Sequence, residues 1–271
     1  MKYSHWLQAA ARAGYLSRGI VYGIISFFAI LASIGAGSSK GTKGALVTLL
    51  SQPFGSVLVA VLVTGLFGFV VWRLVQAVLD ADNHGRDLQG IVVRLALLAS
   101  AATYSALALY AMGLLGITGT NDGKLLPGLM NAISQALGQR LFVAGLSLVF
   151  LGIAVAHWWK ACSGRYSKHF DENEAPMRVV HIVSVLGLGA RGIVFALLSA
   201  MIWLGIEGAS TSGGDLPSTL DALKYIQGLP YGQVMLFALA VGLMVFAIYS
   251  FVESRWRRVS LSRGAAQDLL C

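Results

Sequence analysis

Residues 225–252 read YIQGLPYGQVMLFALAVGLMVFAIYSFV, 28 residues in a row without an Asp, Glu, Lys or Arg. Because a helix needs about 20 apolar residues to cross the hydrocarbon core of a bilayer, this segment is long enough to span a membrane. A second segment, 179–206, is equally apolar and contains one charge, Arg191. Four further charge-free stretches are also long enough: residues 19–39, 44–72, 95–121 and 141–159. The sequence therefore predicts an all-α membrane protein with six transmembrane helices.

The composition supports a membrane location. The chain has 271 residues, of which 56% are hydrophobic and 12% are charged, and its mean hydropathy is +0.72. A soluble domain carries about a quarter of its residues as Asp, Glu, Lys or Arg, so disordered chains, disulfide scaffolds and ordinary soluble enzymes are excluded. The net charge of +8 would suggest nucleic acid in a soluble protein. In a membrane protein basic residues flank the spans instead, and we expect no nucleic-acid partner.

The distribution of basic residues predicts the orientation. Fourteen of the 20 Lys and Arg residues lie at the N-terminus, in the second and fourth connections and at the C-terminus, and five lie on the other side. By the positive-inside rule, both termini are expected in the cytoplasm. The two cysteines, Cys162 and Cys271, are then expected as reduced thiols.

Three pairs of spans look like copies of one unit. The first helix of each pair contains one of three similar phrases: RAGYLSRGIVY (12–22), RLALLASAATY (94–104) and LGARGIVF (188–195). Their alignment matches Arg12 with Arg94 and Arg18 with Arg191. The second helices follow QPFG, QALG and LPYG, so Gly55, Gly138 and Gly232 correspond, at spacings of 83 and 94 residues. These alignments define the corresponding positions used below.

Each two-helix unit starts and ends on the same side of the membrane. Parallel repeats of this kind are related by an axis along the membrane normal, and stacking buries a face that one unit leaves unpaired. The sequence therefore predicts three tandem helical hairpins with pseudo-threefold symmetry about the membrane normal. The repeats span residues 1–86, 87–175 and 176–258, and a cytoplasmic C-terminal tail spans residues 259–271.

The repeated phrases resemble a known family. The Arg-x-Gly-Tyr and Arg-Gly-x-x-Tyr opening, together with the segment from Pro53 to Ala77, is similar to the bacterial family called domain of unknown function 1206. The resemblance covers roughly residues 5–258, and the second repeat departs most, with Ser100 and Ala101 where the first has Arg and Gly. It implies a two-helix unit occurring three times and an inner-membrane location, and it implies no established activity.

The connections on the side opposite the termini also repeat. Residues 45–51, 125–137 and 216–226 each carry apolar residues at helical spacing. We expect short amphipathic helices at the outer interface, which either cap the bundle or act as a binding lid.

Arg18 and Arg191 are the most informative charges. Both are expected near the cytoplasmic ends of their helices, at equivalent heights. An arginine within a span is a functional hypothesis by default, because its head in hydrocarbon costs at least about 2.5 kcal/mol. One interpretation is a site for a lipid phosphate or another anion, with Tyr22 and Tyr104 as donors. The alternative is snorkelling, or pairing with a helix-end carboxylate such as Glu253.

Other motifs favour no chemistry. Residues 187–192 (GLGARG) match the dinucleotide-binding pattern but lie inside an apolar helix with no preceding strand, where glycines permit close helix contact. No two of the five histidines lie three or four residues apart, as two metal or haem ligands on one helix would, and only ligation across helices stays open. The sequence offers no paired acid, base and nucleophile. We therefore expect no catalytic residues, no metal and no cofactor.

These observations leave three function classes. The first is a non-catalytic membrane protein that binds membrane lipids or another inner-membrane protein. The second is a small transporter or channel with a path along the pseudo-threefold axis, which would require a continuous polar cavity. The third is an enzyme acting on lipid at the cytoplasmic interface, for which the sequence supplies no machinery. The first is the predicted function.

Overall fold

The computed structural model describes residues 2–81, 85, 88–117, 132–164, 167, 170, 175–204 and 219–257. The structure within these residues consists of nine α-helices, with no β-strand. Six of them are long and apolar enough to cross a membrane, which confirms the predicted fold class. These six are α1 (Lys2–Ser33), α3 (Gly55–Leu79), α4 (Leu88–Leu114), α6 (Gln139–Cys162), α7 (Met177–Leu204) and α9 (Gly232–Trp256). The three short helices are α2 (Thr42–Leu50), α5 (132–137) and α8 (Thr219–Gln227).

The long helices do not begin and end where the charge-free stretches do. The first span was expected to start at residue 19, whereas α1 begins at Lys2 and contains Arg12 and Arg18. Basic side chains can extend their charged heads to an interface while the stem stays apolar, so a charge does not mark a helix end. The spans predicted from residues 44 and 225 start too early, because each of these stretches includes a short helix and a turn before the long one.

The turns before α3 and α9 have the same backbone geometry. Phe54 (φ 60°, ψ 24°) and Tyr231 (φ 58°, ψ 19°) are both left-handed, a conformation that residues with a Cβ rarely adopt. The next residues, Gly55 and Gly232, leave no room for a side chain. A Cβ there would lie 1.9 and 2.3 Å from a carbonyl oxygen of the preceding short helix. The recurrence of Pro-aromatic-Gly is thus explained by one turn used twice.

The helices of the first and third repeats cross in the same way. A Cβ on Gly14 of α1 would lie 2.2 Å from the Cβ of Phe69 on α3. A Cβ on Gly187 of α7 would lie 2.7 Å from the Cα of Phe246 on α9. Since Gly14 corresponds to Gly187 and Phe69 to Phe246, the two hairpins share one glycine-on-phenylalanine crossing.

The second repeat is arranged differently. Around the bundle the long helices follow the order α4, α3, α1, α9, α7, α6, and each packs on its neighbours in that order. The first hairpin (α1 and α3) and the third (α7 and α9) are closed, whereas α4 and α6 share no more than a marginal contact between their described residues. We call α4 and α6 the open hairpin. Threefold symmetry of the whole bundle and the predicted repeat boundaries stay predictions, and the tail 259–271 lies outside the described residues.

The core is apolar and is closed at one end by the short helices. Its largest cluster of buried side chains draws on α1, α3, α7 and α9, with two alanines from α4. At what we call the capped end, α2 buries Ala45 and Leu46 in this cluster, and α8 buries Ala222, Leu223 and Ile226. Short helices are thereby confirmed in the connections between α1 and α3 and between α7 and α9. Their buried faces favour capping over a lid. Of the corresponding segment 125–137, only residues 132–137 are described.

Candidate functional site

Apart from Arg140 at the start of α6, the charged residues of the long helices lie in the part of the bundle farther from the short helices, from the level of Arg18 and Arg191 outward. We call this part the basic end. Arg18 and Arg191 lie midway along α1 and α7, and not near the helix ends as predicted. The two guanidinium groups flank the ring of Phe246, with their carbon atoms 5.0 and 4.6 Å from its centroid. The two predicted arginines are therefore brought together at one phenylalanine.

Arg18 is neutralised within the protein. Its Nε donates to the Ser250 hydroxyl at 3.0 Å, and its Nη2 pairs with an oxygen of Glu253. The other oxygen of Glu253 accepts from Nη1 of Arg257 at 2.6 Å. Arg18, Glu253 and Arg257 are 6%, 2% and 5% exposed, so this is a buried ion-pair triad. The helix-end carboxylate proposed from the sequence is therefore the partner of Arg18.

Arg191 has aromatic neighbours, and no carboxylate among the residues that the structure describes is paired with it. Its guanidinium carbon lies 4.7 Å from the ring centroid of Tyr22 and 5.2 Å from that of Phe195, in addition to Phe246. Cation–π contacts stabilise a guanidinium by about 0.5–2 kcal/mol each. Its Nη1 is buried and has no hydrogen-bond partner. The corresponding arginines are thus in different electrostatic situations.

The repeat explains this difference. The position of α6 that corresponds to Glu253 is Trp159, and the next residue is Lys160. Neither side chain can neutralise a guanidinium. The nearest titratable group that α6 brings toward Arg191 is His157, whose ring lies 5.4 Å from the same Phe195 ring. Arg191 therefore lacks the acidic partner that the repeat provides to Arg18.

The two predicted tyrosines contribute their rings. Tyr22 packs edge to face on Phe246, with centroids 5.0 Å apart, and its face receives Arg191. Tyr104 packs edge to face on Phe69 at 4.7 Å, and Phe69 lies 5.6 Å from the Arg18 guanidinium. Tyr22 thus contacts Arg191, whereas Tyr104 contacts Phe69, which lies beside Arg18.

Further cations surround these aromatic rings. Arg73 of α3 lies over the Phe69 ring at 4.6 Å and donates to Gln76 at 3.0 Å. Lys160 lies 6.0 Å from the centre of the Tyr249 ring. Glu253 is the carboxylate that pairs with Arg18 and Arg257. Several buried donors at this end also lack acceptors: Nε of Arg12, Arg73 and Arg94, the Ser184 hydroxyl and the Tyr249 hydroxyl. The basic end thus holds more buried donors and positive charge than the described residues satisfy.

Sequence reasoning missed Phe246 and Arg257. Phe246 was detectable as the counterpart of Phe69 in the repeat, and Arg257 follows Glu253 at the i, i+4 spacing of helical ion pairs. Only the folded chain shows that one phenylalanine separates Arg18 from Arg191.

The glycine-rich phrase of α7 serves helix packing, as the sequence indicated. Gly187 lies against Phe246, and a Cβ on Gly192 would lie 2.4 Å from the Trp158 indole nitrogen. That nitrogen donates to the Gly189 carbonyl at 3.2 Å and joins α6 to α7. Within the described residues, no three His, Cys, Asp or Glu side chains are grouped so as to hold a metal ion.

An apolar groove of about 610 Å³ lies between α6 and α7, toward the capped end. Its two hydroxyls, on Ser147 and Ser199, each donate to the other residue's backbone carbonyl, at 3.0 and 2.8 Å, and their oxygens lie 3.0 Å apart. No hydroxyl of the groove is therefore left to select a polar ligand. Its other lining residues are Ala144, Leu148, Leu151, Ala196, Ala200, Trp203 and Leu204.

Comparisons with known proteins identify relatives without a known activity. The family model described as Domain of Unknown Function (DUF1206) matches residues 13–80 and 186–257, which fall in the first and third repeats. The uncharacterized protein YxxB of Bacillus subtilis (strain 168) is 29% identical over 262 residues, covering 94% of this chain and 93% of that protein. No solved structure is significantly similar. The unmatched second repeat is the one with the open hairpin.

Proposed function

Because the chain belongs to the domain of unknown function 1206 family, its role has to be inferred from its geometry, and we propose that it binds an anionic membrane lipid without catalysing a reaction. Arg191 holds the lipid phosphate at the basic end of the bundle. The protein is multi-pass, with six helices of membrane-spanning length. The excess of basic residues on the side of the termini supports placing the basic end at the cytoplasmic face of the inner membrane.

One observation carries this proposal. Two corresponding arginines lie on one phenylalanine, and Arg18 has Glu253 while Arg191 has a buried Nη1 without an acceptor. An arginine at the centre of a membrane helix costs about 2.5–3.5 kcal/mol even on insertion scales. A phosphate oxygen supplies the missing charge and acceptor, since guanidinium and phosphate form strong charge-assisted hydrogen bonds.

The packing of the bundle favours binding over conduction. The described part of the central region is filled by buried apolar side chains from four long helices. Two short helices bury apolar residues over it at the capped end. A channel or transporter along this axis would need a continuous polar path.

The test compares lipid retention in three forms of the full chain. Wild type, Arg191→Gln and Arg178→Gln are purified in mild detergent, and retained lipids are counted by native mass spectrometry. Arg178 is the matched control, because it lies on the same helix, is exposed and loses the same charge. Loss of a charged hydrogen bond worth about 1.5–3 kcal/mol predicts at least roughly tenfold weaker retention of anionic phospholipid in Arg191→Gln alone.

A second arm identifies the source of the phosphate. Phosphatidylglycerol, phosphatidylcholine or inorganic phosphate is added to delipidated wild-type protein, and the thermal midpoint is measured. We expect stabilisation by phosphatidylglycerol alone. Equal retention by Arg191→Gln and Arg178→Gln would overturn the proposal, as would equal stabilisation by phosphatidylcholine or by inorganic phosphate.

A further inference from the structure

The open hairpin exposes the helix face that the other hairpins bury. Five positions of α3 are buried, and the five corresponding positions of α6 are exposed. The buried positions are Leu62, Gly65, Phe69, Trp72 and Gln76, and their exposed counterparts are Gly145, Leu148, Gly152, Val155 and Trp159.

The same reversal occurs on the facing helix. Gly14, Ser17 and Val21 of α1 are buried, and their counterparts on α4 are exposed. These counterparts are Ala96, Ala99 and Thr103. Two apolar faces that pack together in the first repeat are therefore both uncovered in the second.

Two substitutions between repeats account for the opening. Where Phe69 of α3 fills the crossing, α6 has Gly152, around which a Cβ would meet nothing within 4 Å. Where Gly65 lets the helices approach, α6 has Leu148. The large and small residues that interlock in the closed hairpins are thus exchanged, and α4 and α6 do not pack closely.

We propose that the opening between α4 and α6 is the lateral entry for the lipid, with an acyl chain lying against these two faces and the phosphate at Arg191. This inference rests on the proposed function. The exposed positions named above carry no charge, so they suit hydrocarbon. Gly152 and His157 are five residues apart, or about 7.5 Å along α6, which places the face close to the level of Arg191.

The groove between α6 and α7 extends the apolar surface. It shares Leu148 with the exposed face of α6, and its serine hydroxyls are already bonded to each other. An acyl chain that passes between α4 and α6 therefore meets apolar side chains up to the capped end.

Charge decides between a lipid and a second copy of the chain as the occupant. Pairing of α6 with α6 of a second copy would cover the apolar face and would bring no anion to Arg191, because the exposed positions of α6 named above include no carboxylate. An anionic phospholipid satisfies both the faces and the cation.

The experiment places a photoreactive benzoylphenylalanine at Gly152, at Thr103 or, as the control, at Thr64. Thr64 is exposed on α3 away from the opening. After irradiation in native membranes, adducts are identified by mass spectrometry. We expect lipid adducts at 152 and 103 with anionic lipids enriched several-fold over the bulk composition, and bulk composition at 64. Arg191→Gln should remove the enrichment.

A second variant closes the entry. Leu148→Gly with Gly152→Phe restores the residue types of the closed hairpins and should lower the retention of anionic lipid about tenfold. Matched thermal midpoints show that the variant folds. The proposed lipid entry would be overturned by adducts at residue 152 that match the bulk lipid composition. A crosslink to a second copy of the protein, or from α6 to α4, would also overturn it. Retention unchanged by Arg191→Gln would overturn the proposed function instead.

Discussion

The four helices of the first and third repeats differ from the two helices of the second in how much of their apolar surface the protein covers. The most apolar 18 residues of each long helix show the difference. The protein buries 39–50% of these residues in α1, α3, α7 and α9, compared with 22% in α4 and 17% in α6. The former carry the glycine-on-phenylalanine crossings and the ion-pair triad, whereas the latter lack both. Two of the three predicted repeats therefore form closely packed hairpins, and the second leaves most of its apolar surface uncovered.

The same contrast holds between two corresponding contacts. Where α9 meets α1, Glu253 forms ion pairs with both Arg18 and Arg257. Where α6 meets α7, a reciprocal pair of serines and the Trp158 indole join the helices, and Arg191 keeps an unsatisfied nitrogen. Charge holds the first contact together, and neutral hydrogen bonds hold the second, which leaves a cation for an external anion.

The largest effect is expected at the triad. Glu253→Gln leaves Arg18 and Arg257 buried without a carboxylate, and we expect a loss of about 3–5 kcal/mol in the free energy of unfolding. Denaturant titration in detergent measures this loss. Because Arg18→Met removes one stranded charge, the double variant Arg18→Met, Glu253→Gln should lose less than the sum of the two single variants. A fully additive result would mean that the two side chains do not interact.

The next largest effect on stability is expected when a glycine in a closed hairpin is replaced, and it is compared with the replacement of a glycine in the open hairpin. Gly14→Ala places a Cβ against Phe69 in a closed hairpin and should destabilise by about 1–3 kcal/mol through overpacking. Gly152→Ala meets open space in the open hairpin and should be neutral or stabilise by up to about 1 kcal/mol, because alanine is the better helix former. Thermal midpoints compare the two. Equal destabilisation would show that α6 is packed as closely as α1.

A smaller effect is expected when Arg191 is given a carboxylate. His157→Glu places an acid beside the Phe195 ring that Arg191 also contacts. It should displace the lipid phosphate and lower anionic-lipid retention about tenfold, or about 1.4 kcal/mol. His157→Gln, which adds no charge, is the control and should retain the lipid. Native mass spectrometry measures the lipid retained by each variant. Equal retention by the two variants would show that lipid binding does not depend on the charge of Arg191.

The smallest effect is expected at the serine pair. Ser147→Ala or Ser199→Ala should each cost about 0.6 kcal/mol, the average for interhelical hydrogen bonds measured in a membrane protein. Ser105→Ala is the control, because its hydroxyl bonds only within α4, to the Ala101 carbonyl. A loss above roughly 2 kcal/mol at Ser147 would show that α6 depends on this contact more than the other exposed surfaces suggest.

Much of the architecture was predictable from local patterns. Five long charge-free runs and one apolar run with a single arginine predicted six spans, and the repeated phrases predicted which glycines and arginines correspond. The divergence of the second repeat was visible in Ser100 and Ala101. Helix ends were predicted poorly, because Arg12 and Arg18 lie within α1 and because the turn that separates α2 from α3, with its left-handed Phe54, lies inside a charge-free stretch.

The candidate site was predictable in its members and not in its pairing. Arg18 and Arg191 were identified because charge within an apolar span is costly, and Glu253 was a possible partner for either. Which arginine receives it depends on α9 packing against α1, a contact between residues more than 230 positions apart.

The sequence by itself determined that this chain is six apolar helices in three related pairs, since hydropathy and spacing are local properties of the chain. Only the tertiary structure decided that Arg18 is neutralised while Arg191 is not, and that α4 stays apart from α6. The physical reason is that both outcomes depend on which side chains meet across helices. One carboxylate can satisfy only the arginines within reach, and a crossing closes only where a small residue faces a large one.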